Sequence, residues 1–240
     1  MGKTILILHG WGAGAKSFAE VVKLLKEKGY FVYIFDLPGF GNTLPPSAPW
    51  TVDDYVKFAL EFVDSQKFDK FFLFGHSFGG RIAIKFASSY PEKLAGIILC
   101  DAAGITPRSQ IKIAIFSFFS RIGNWLFSFS ILKPLRGLAR KFAYFLGGGK
   151  DYYSLQNDVM RETFKKVIEE DLTSYLAGIS APTLLVWGRR DKLTPVSDAH
   201  RMNKGIANSE LVVLDSVGHA PHIESPKELA DIVDKFISKN

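Results

Sequence analysis

Short runs of β-branched, leucine and aromatic residues recur along the chain, over 4–8, 31–35, 70–74, 96–100, 183–187 and 210–214. Most are continuously apolar after their first residue and do not alternate, the pattern of strands covered on both faces. Between them the apolar positions fall at helical spacing. Phe18, Val21, Val22 and Leu25 share one face of a first helix, and Tyr55, Phe58, Ala59 and Phe62 share one face of a second. Thr51 followed by Asp54 predicts a near capping box at the start of the second helix. Gly29 is the expected C-cap of the first. Strands alternating with helices predict a mostly parallel, doubly wound α/β sheet of about six strands.

The alternation breaks in mid-chain. Residues 108–130, 133–146 and 152–170 read as three helices, the last two separated by Gly147, Gly148 and Gly149. It resumes at Ala181 and Pro182. The chain therefore divides into a first core part (1–103), an all-helical insertion (104–175) and a second core part (176–240).

Charge sharpens that division. The 240 residues carry 30 Lys and Arg against 24 Asp and Glu, a net charge of +6. From 102 to 150 there is no acid and there are eight bases: Arg108, Lys112, Arg121, Lys133, Arg136, Arg140, Lys141 and Lys150. The rest of the chain is slightly acidic. The positive excess thus belongs to an aromatic-rich insertion and is no general mark of a nucleic-acid binder.

An apolar content of 47% excludes a disordered chain, and the lone Cys100 excludes a disulfide scaffold. The apolar run at 4–8 is too short for a signal peptide. Arg121 sits at the centre of the most apolar window, 111–132, which argues against a spanning helix. A cytoplasmic location is expected.

Gly75, Ser77 and Gly79 form a Gly-x-Ser-x-Gly motif after a strand and before a helix. A sharp strand-to-helix turn strains the central residue and crowds the positions two away, so glycine is required there. The turn would present the Ser77 hydroxyl above the sheet, at a helix N-terminus. Asp191 follows the fifth strand and His219 the sixth, giving the chain order Ser, Asp, His. His219 would take the Ser77 proton, and Asp191 would orient the imidazole. Asp101, at the end of the fourth strand, is the alternative acid; its other reading is a capping or salt-bridged carboxylate. His9 is expected to make structural hydrogen bonds, His76 to point away from the nucleophile, and His200 to be solvated. Asp36 is expected to satisfy backbone donors in the turn at 37–39. Asp191, Asp198 and His200 have poor ligand spacing for a metal.

Taken together, HGWG (9–12), DLPGFGNT (36–43), GHSFGG (75–80), WGRRD (187–191) and GHAPHIESP (218–226) resemble α/β-hydrolase fold serine hydrolases of the carboxylesterase and carbon–carbon hydrolase branch. HGWG in particular is similar to the oxyanion loop of pimeloyl-ester carboxylesterases. The resemblance spans the chain except the interior of the insertion, which such enzymes carry as a helical cap. It implies that the backbone N–H groups of Trp11 and Phe78 form an oxyanion hole. It also implies that cap residues line the substrate pocket, with Phe116, Phe119, Trp125 and Phe129 as candidates. Family members usually begin with an antiparallel hairpin. This sequence starts at the strand before HGWG, hence the expectation of six strands and not eight.

The resemblance implies a hydrolase of lipophilic carboxylic esters that uses an acyl-Ser77 intermediate and needs neither cofactor nor metal. A carbon–carbon hydrolase of ring-cleavage products is the nearest rival, but such enzymes typically place a tryptophan after the histidine, where this chain has Ala220. Ser77 at the elbow excludes a dehalogenase, which needs Asp there. A non-catalytic ligand-binding homologue would have lost a triad member. The expected partners are a small lipophilic ester and, through the basic cap, an anionic lipid or micelle surface. Nucleic acid is not expected, and the protein would be a monomer or homodimer.

Overall fold

A computed structural model describes residues 3–105 and 157–240. The predicted helices over 108–130 and 133–146, and Phe116, Phe119, Trp125 and Phe129, lie outside the described residues.

Six parallel strands form one sheet in the order β2-β1-β3-β4-β5-β6. They are β1 (Thr4–Leu8), β2 (Phe31–Ile34), β3 (Phe71–His76), β4 (Leu94–Cys100), β5 (Thr183–Gly188) and β6 (Ser209–Leu214). The helices are α1 (Ala19–Glu27), α2 (Val52–Ser65), α3 (Phe78–Ser89), α4 (Asp158–Glu169), α5 (Val196–Gly205), the single turn α6 (Pro221–Glu224) and α7 (Pro226–Lys239). The α4 span falls inside the helix predicted over 152–170.

Strand residues alternate between two cores, because successive side chains leave a strand on opposite faces. Leu6, Leu8, Leu73 and Leu99 pack with α2 and α3 on one face. Ile5, Ile7, Phe72, Phe74 and Ile98 pack with α1 and α7 on the other. This explains why the strands read as continuously apolar. The capping box at Thr51 is complete, since Thr51 and Asp54 satisfy each other's backbone N–H. Gly29 takes a φ of +90° just past α1, as a C-cap glycine does.

Strand order reverses about β1, which has β2 on one side and β3 on the other. In open α/β sheets such a switch leaves a crevice at the carboxyl ends of the adjacent strands. The loop at 9–12 leaves β1 there, and Ser77 leaves β3 beside it. The chain that follows residue 157 is tied to the helix behind Ser77. The Lys85 ammonium, buried on α3, lies 2.6 Å from both Asp53 and Glu170, and Arg81 donates to the Glu170 carbonyl at 2.8 Å. Among the described residues no helix is long and apolar enough to cross a membrane.

Candidate active site

Ser77 takes a φ of +52° and a ψ of −109°, a conformation that L-residues rarely adopt. The surrounding backbone holds it there. Its N–H donates to the Cys100 carbonyl at 3.2 Å, and its own carbonyl accepts from Gly80 and Ala103, each at 3.0 Å. The flanking glycines are sterically required. A Cβ at position 75 would lie 2.5 Å from the Gly79 carbonyl oxygen, and one at position 79 would collide with the Leu8 carbonyl oxygen. Ser77 does not cap α3 with its side chain. Its Oγ lies 2.9 Å from His219 Nε2 instead.

His219 Nδ1 lies 2.7 Å from Asp191 Oδ2, so the loops after β3, β5 and β6 bring three predicted residues into one hydrogen-bonded chain. Asp191 is fully supplied with donors. Oδ1 accepts from the N–H groups of Leu193 at 2.7 Å and Thr194 at 3.1 Å, and Oδ2 accepts the Thr194 hydroxyl at 2.5 Å. Burial pushes its pKa up, but the bonds from His219 and Thr194 outweigh that and hold the carboxyl below the usual carboxylate range. With Asp191 ionised, the neutral His219 ring carries its proton on Nδ1 and turns Nε2 as an acceptor toward Ser77.

Asp101 is a different kind of carboxyl. Its backbone is in the left-handed region, with a φ of +43°. Oδ1 accepts from the Gly188 N–H at 2.9 Å, while Oδ2 is buried without a partner. Burial, reinforced by the Asp191 charge, raises its pKa to about 8. Among the described residues Asp101 makes no salt bridge, and it holds the end of β5 through the Gly188 N–H.

The other histidines separate clearly. His9 Nδ1 donates to the Gly10 carbonyl at 2.8 Å and its Nε2 accepts from the Leu37 N–H at 2.9 Å, a structural role. His76 faces away from Ser77 but not from the site, for its Nε2 donates to the His219 carbonyl at 2.8 Å. Burial keeps His76 neutral by lowering its pKa well below the usual value. His222 is buried and stacked on Phe18, with ring centroids 4.1 Å apart. His200 is exposed. Asp36 differs from expectation in its partners: it accepts from Ala15 at 2.7 Å and Asn42 at 2.9 Å, bridging two loops and leaving the 37–39 turn alone.

Trp11 and Phe78 pack ring to ring, with centroids 5.1 Å apart. Phe78 opens α3, so its N–H is one of those a helix leaves without an intrahelical acceptor. Trp11 also touches Phe40 and Phe164, at 4.8 and 4.9 Å. Asp191, Asp198 and His200 form no metal-binding group among the described residues. The donor atoms of His76, Asp101 and His219 do come within 4.8 Å of one another. Both ring nitrogens of His219 are engaged with Ser77 and Asp191.

Sequence reasoning missed Thr194, Glu224 and the supporting role of His76. Thr194 follows Asp191 by three residues, a spacing from which a hydroxyl can reach the carboxylate.

Comparison with known proteins agrees with this fold. The family model for the alpha/beta hydrolase fold matches residues 3–226. Monoacylglycerol lipase ABHD6 of Bos taurus is 28% identical over 98% of this chain and 75% of its own length. A 2-hydroxy-6-oxononadienedioate/2-hydroxy-6-oxononatrienedioate hydrolase of Klebsiella pneumoniae is 29% identical over 99% of this chain and 88% of its own. Among solved structures, a bacterial membrane phospholipase A superposes with a TM-score of 0.76 at 25% identity, covering 99% of this chain and 79% of that one.

Proposed function

Because the chain belongs to the alpha/beta hydrolase fold family, we propose that it is a serine hydrolase cleaving carboxylic esters of lipophilic acyl groups. Ser77 is the nucleophile, His219 the general base and acid, and Asp191 the residue that fixes the imidazole tautomer. The observation that carries this reading is the chain from Ser77 through His219 to Asp191, at 2.9 and 2.7 Å, built on a strained serine.

In the acylation step His219 Nε2 takes the Ser77 proton as Oγ attacks the ester carbonyl. The Trp11 and Phe78 N–H groups stabilise the oxyanion, a contribution worth about 10²–10³ in rate per donor. Collapse expels the alkoxide, which receives the proton from the His219 imidazolium. His219 then deprotonates a water that attacks the acyl-Ser77 ester; the acyl–Oγ bond breaks, Oγ takes the proton back from the His219 imidazolium, and the acid leaves. Asp191 stabilises the imidazolium in both halves.

The preference for lipophilic substrates is supported by the aromatic insertion, whose Phe116, Phe119, Trp125 and Phe129 are the proposed pocket residues. The monoacylglycerol lipase and phospholipase A relatives point the same way. The eight bases of that segment are proposed to favour anionic lipid or micelle surfaces. Vesicle binding that weakens with added salt is the expected result, and salt-independent binding contradicts it. A series of p-nitrophenyl esters of increasing acyl length tests the main reading: turnover should peak at a medium or long chain. No turnover of any ester defeats it.

A second reading, carbon–carbon hydrolysis of ring-cleavage products, is favoured by the 29% identical relative. Ala220 after His219 weighs against it. A dienoate ring-cleavage product consumed faster than every ester would reverse that ranking.

A further inference from the structure

His219 sits in an irregular loop between β6 and α6, with about a fifth of its side chain exposed (22%). Such a loop holds a ring in place only if its peptide groups are pinned. Glu224 does this from the outer side. Its Oε2 accepts the Gly218 N–H at 2.8 Å and its Oε1 accepts the Ala220 N–H at 3.1 Å. These are the amides on either side of His219, so one carboxylate spans the residue.

The arrangement depends on the local sequence. Pro221 starts a single helical turn, and the Glu224 N–H donates to the Ala220 carbonyl at 2.8 Å, which folds the side chain back over the loop. Gly218 lets the carboxylate approach, for a Cβ there would lie 3.1 Å from Oε1. On the inner side His76 holds the His219 carbonyl at 2.8 Å, and the His222 ring lies flat on Phe18. The His219 peptide is thus gripped from both faces.

We propose that Glu224 is a positioning residue whose carboxylate, bonded to the Gly218 and Ala220 amides, holds His219 Nε2 within reach of Ser77. The proposal rests on the catalytic reading of Ser77 and His219. A charge-assisted bond to each amide is stronger than a neutral one, and an error of about 1 Å in a catalytic group costs roughly 10²-fold in rate. The Glu224 carboxylate bonds to the Gly218 and Ala220 amides and not to Ser77, so its effect is expected on kcat with little change in KM.

The test compares wild type, Glu224→Gln and Glu224→Ala on p-nitrophenyl butyrate, with thermal melting of each protein. Hydrogen exchange of the His219 Nδ1–H is followed by NMR alongside. Glu224→Ala should lower kcat about 10- to 100-fold, leave KM nearly unchanged and speed exchange of that proton. Glu224→Gln keeps one carbonyl acceptor and should lie between the other two. An alanine variant with wild-type kcat and wild-type exchange overturns the proposal. So does a loss of kcat that merely tracks the unfolded fraction in both variants. If the wild type hydrolyses no ester, the functional reading falls, and the Nδ1–H exchange still decides whether Glu224 positions His219.

Discussion

The Thr194 hydroxyl donates to Asp191 Oδ2 at 2.5 Å, on the same oxygen that faces His219 Nδ1. That carboxylate has a donor on every side, whereas neighbouring Asp101 has one donor and a buried free oxygen. The two acids at this site are thereby given opposite charge states: Asp191 is held ionised and Asp101 keeps its proton into the neutral range.

Asp191 and Asp101 can be told apart as partners of the histidine. Asp191→Asn should lower kcat by about 10⁴, because the wrong tautomer of His219 would be favoured. Asp101→Asn should retain activity within about tenfold, since its amide oxygen can still accept the Gly188 N–H. Steady-state kinetics of both variants decides this, and the reverse ranking would make Asp101 the triad acid.

Asp101 also sets a pH dependence of stability. Its pKa is about 8 in the folded protein and about 3.9 in an unfolded chain. Between those values the folded state holds a proton that the unfolded chain has released. Stability therefore falls as pH rises from about 4 to about 8, by at most about 1.4 kcal/mol per unit, and is level above. Asp101→Asn removes this loss. Its melting temperature should exceed that of wild type by more at pH 8 than at pH 5; an equal difference at both would contradict the assignment.

His222 acts in the opposite direction. Burial, with the nearby His219, lowers its pKa to about 4, despite the opposing Glu224 charge. As pH falls below about 6.5 the unfolded chain takes up the proton first. Stability is lost toward pH 4, by up to about 3 kcal/mol. His222→Phe keeps the stack on Phe18 and removes the titration. Denaturant midpoints at pH 7 and pH 4.5 should lie closer together in the variant than in wild type. A variant as acid-labile as wild type would place the sensitivity elsewhere, with His76 the next candidate.

The sheet was legible because each strand is covered on both faces, so runs such as Ile5 to Leu8 are apolar without interruption. Ser77, Asp191 and His219 were legible for a related reason: each lies just past a strand end, where the sheet delivers residues distant in sequence to one edge. Strand ends were less so. β3 runs on to His76, because Gly75 and His76 pair with Leu99 and Cys100 although neither has a strand-forming pattern. What could not be read were contacts made by folding back. Glu224 reaches Gly218 only after α6 turns, and the charge states of Asp101 and Asp191 depend on burial and donor counts that no spacing encodes.

The central claim is nucleophilic attack by Ser77, and the rate of p-nitrophenyl butyrate hydrolysis by wild type against Ser77→Ala tests it most directly. The alanine variant should fold normally and lose about 10⁴-fold or more in kcat. Equal turnover by the two proteins would contradict an acyl-Ser77 mechanism.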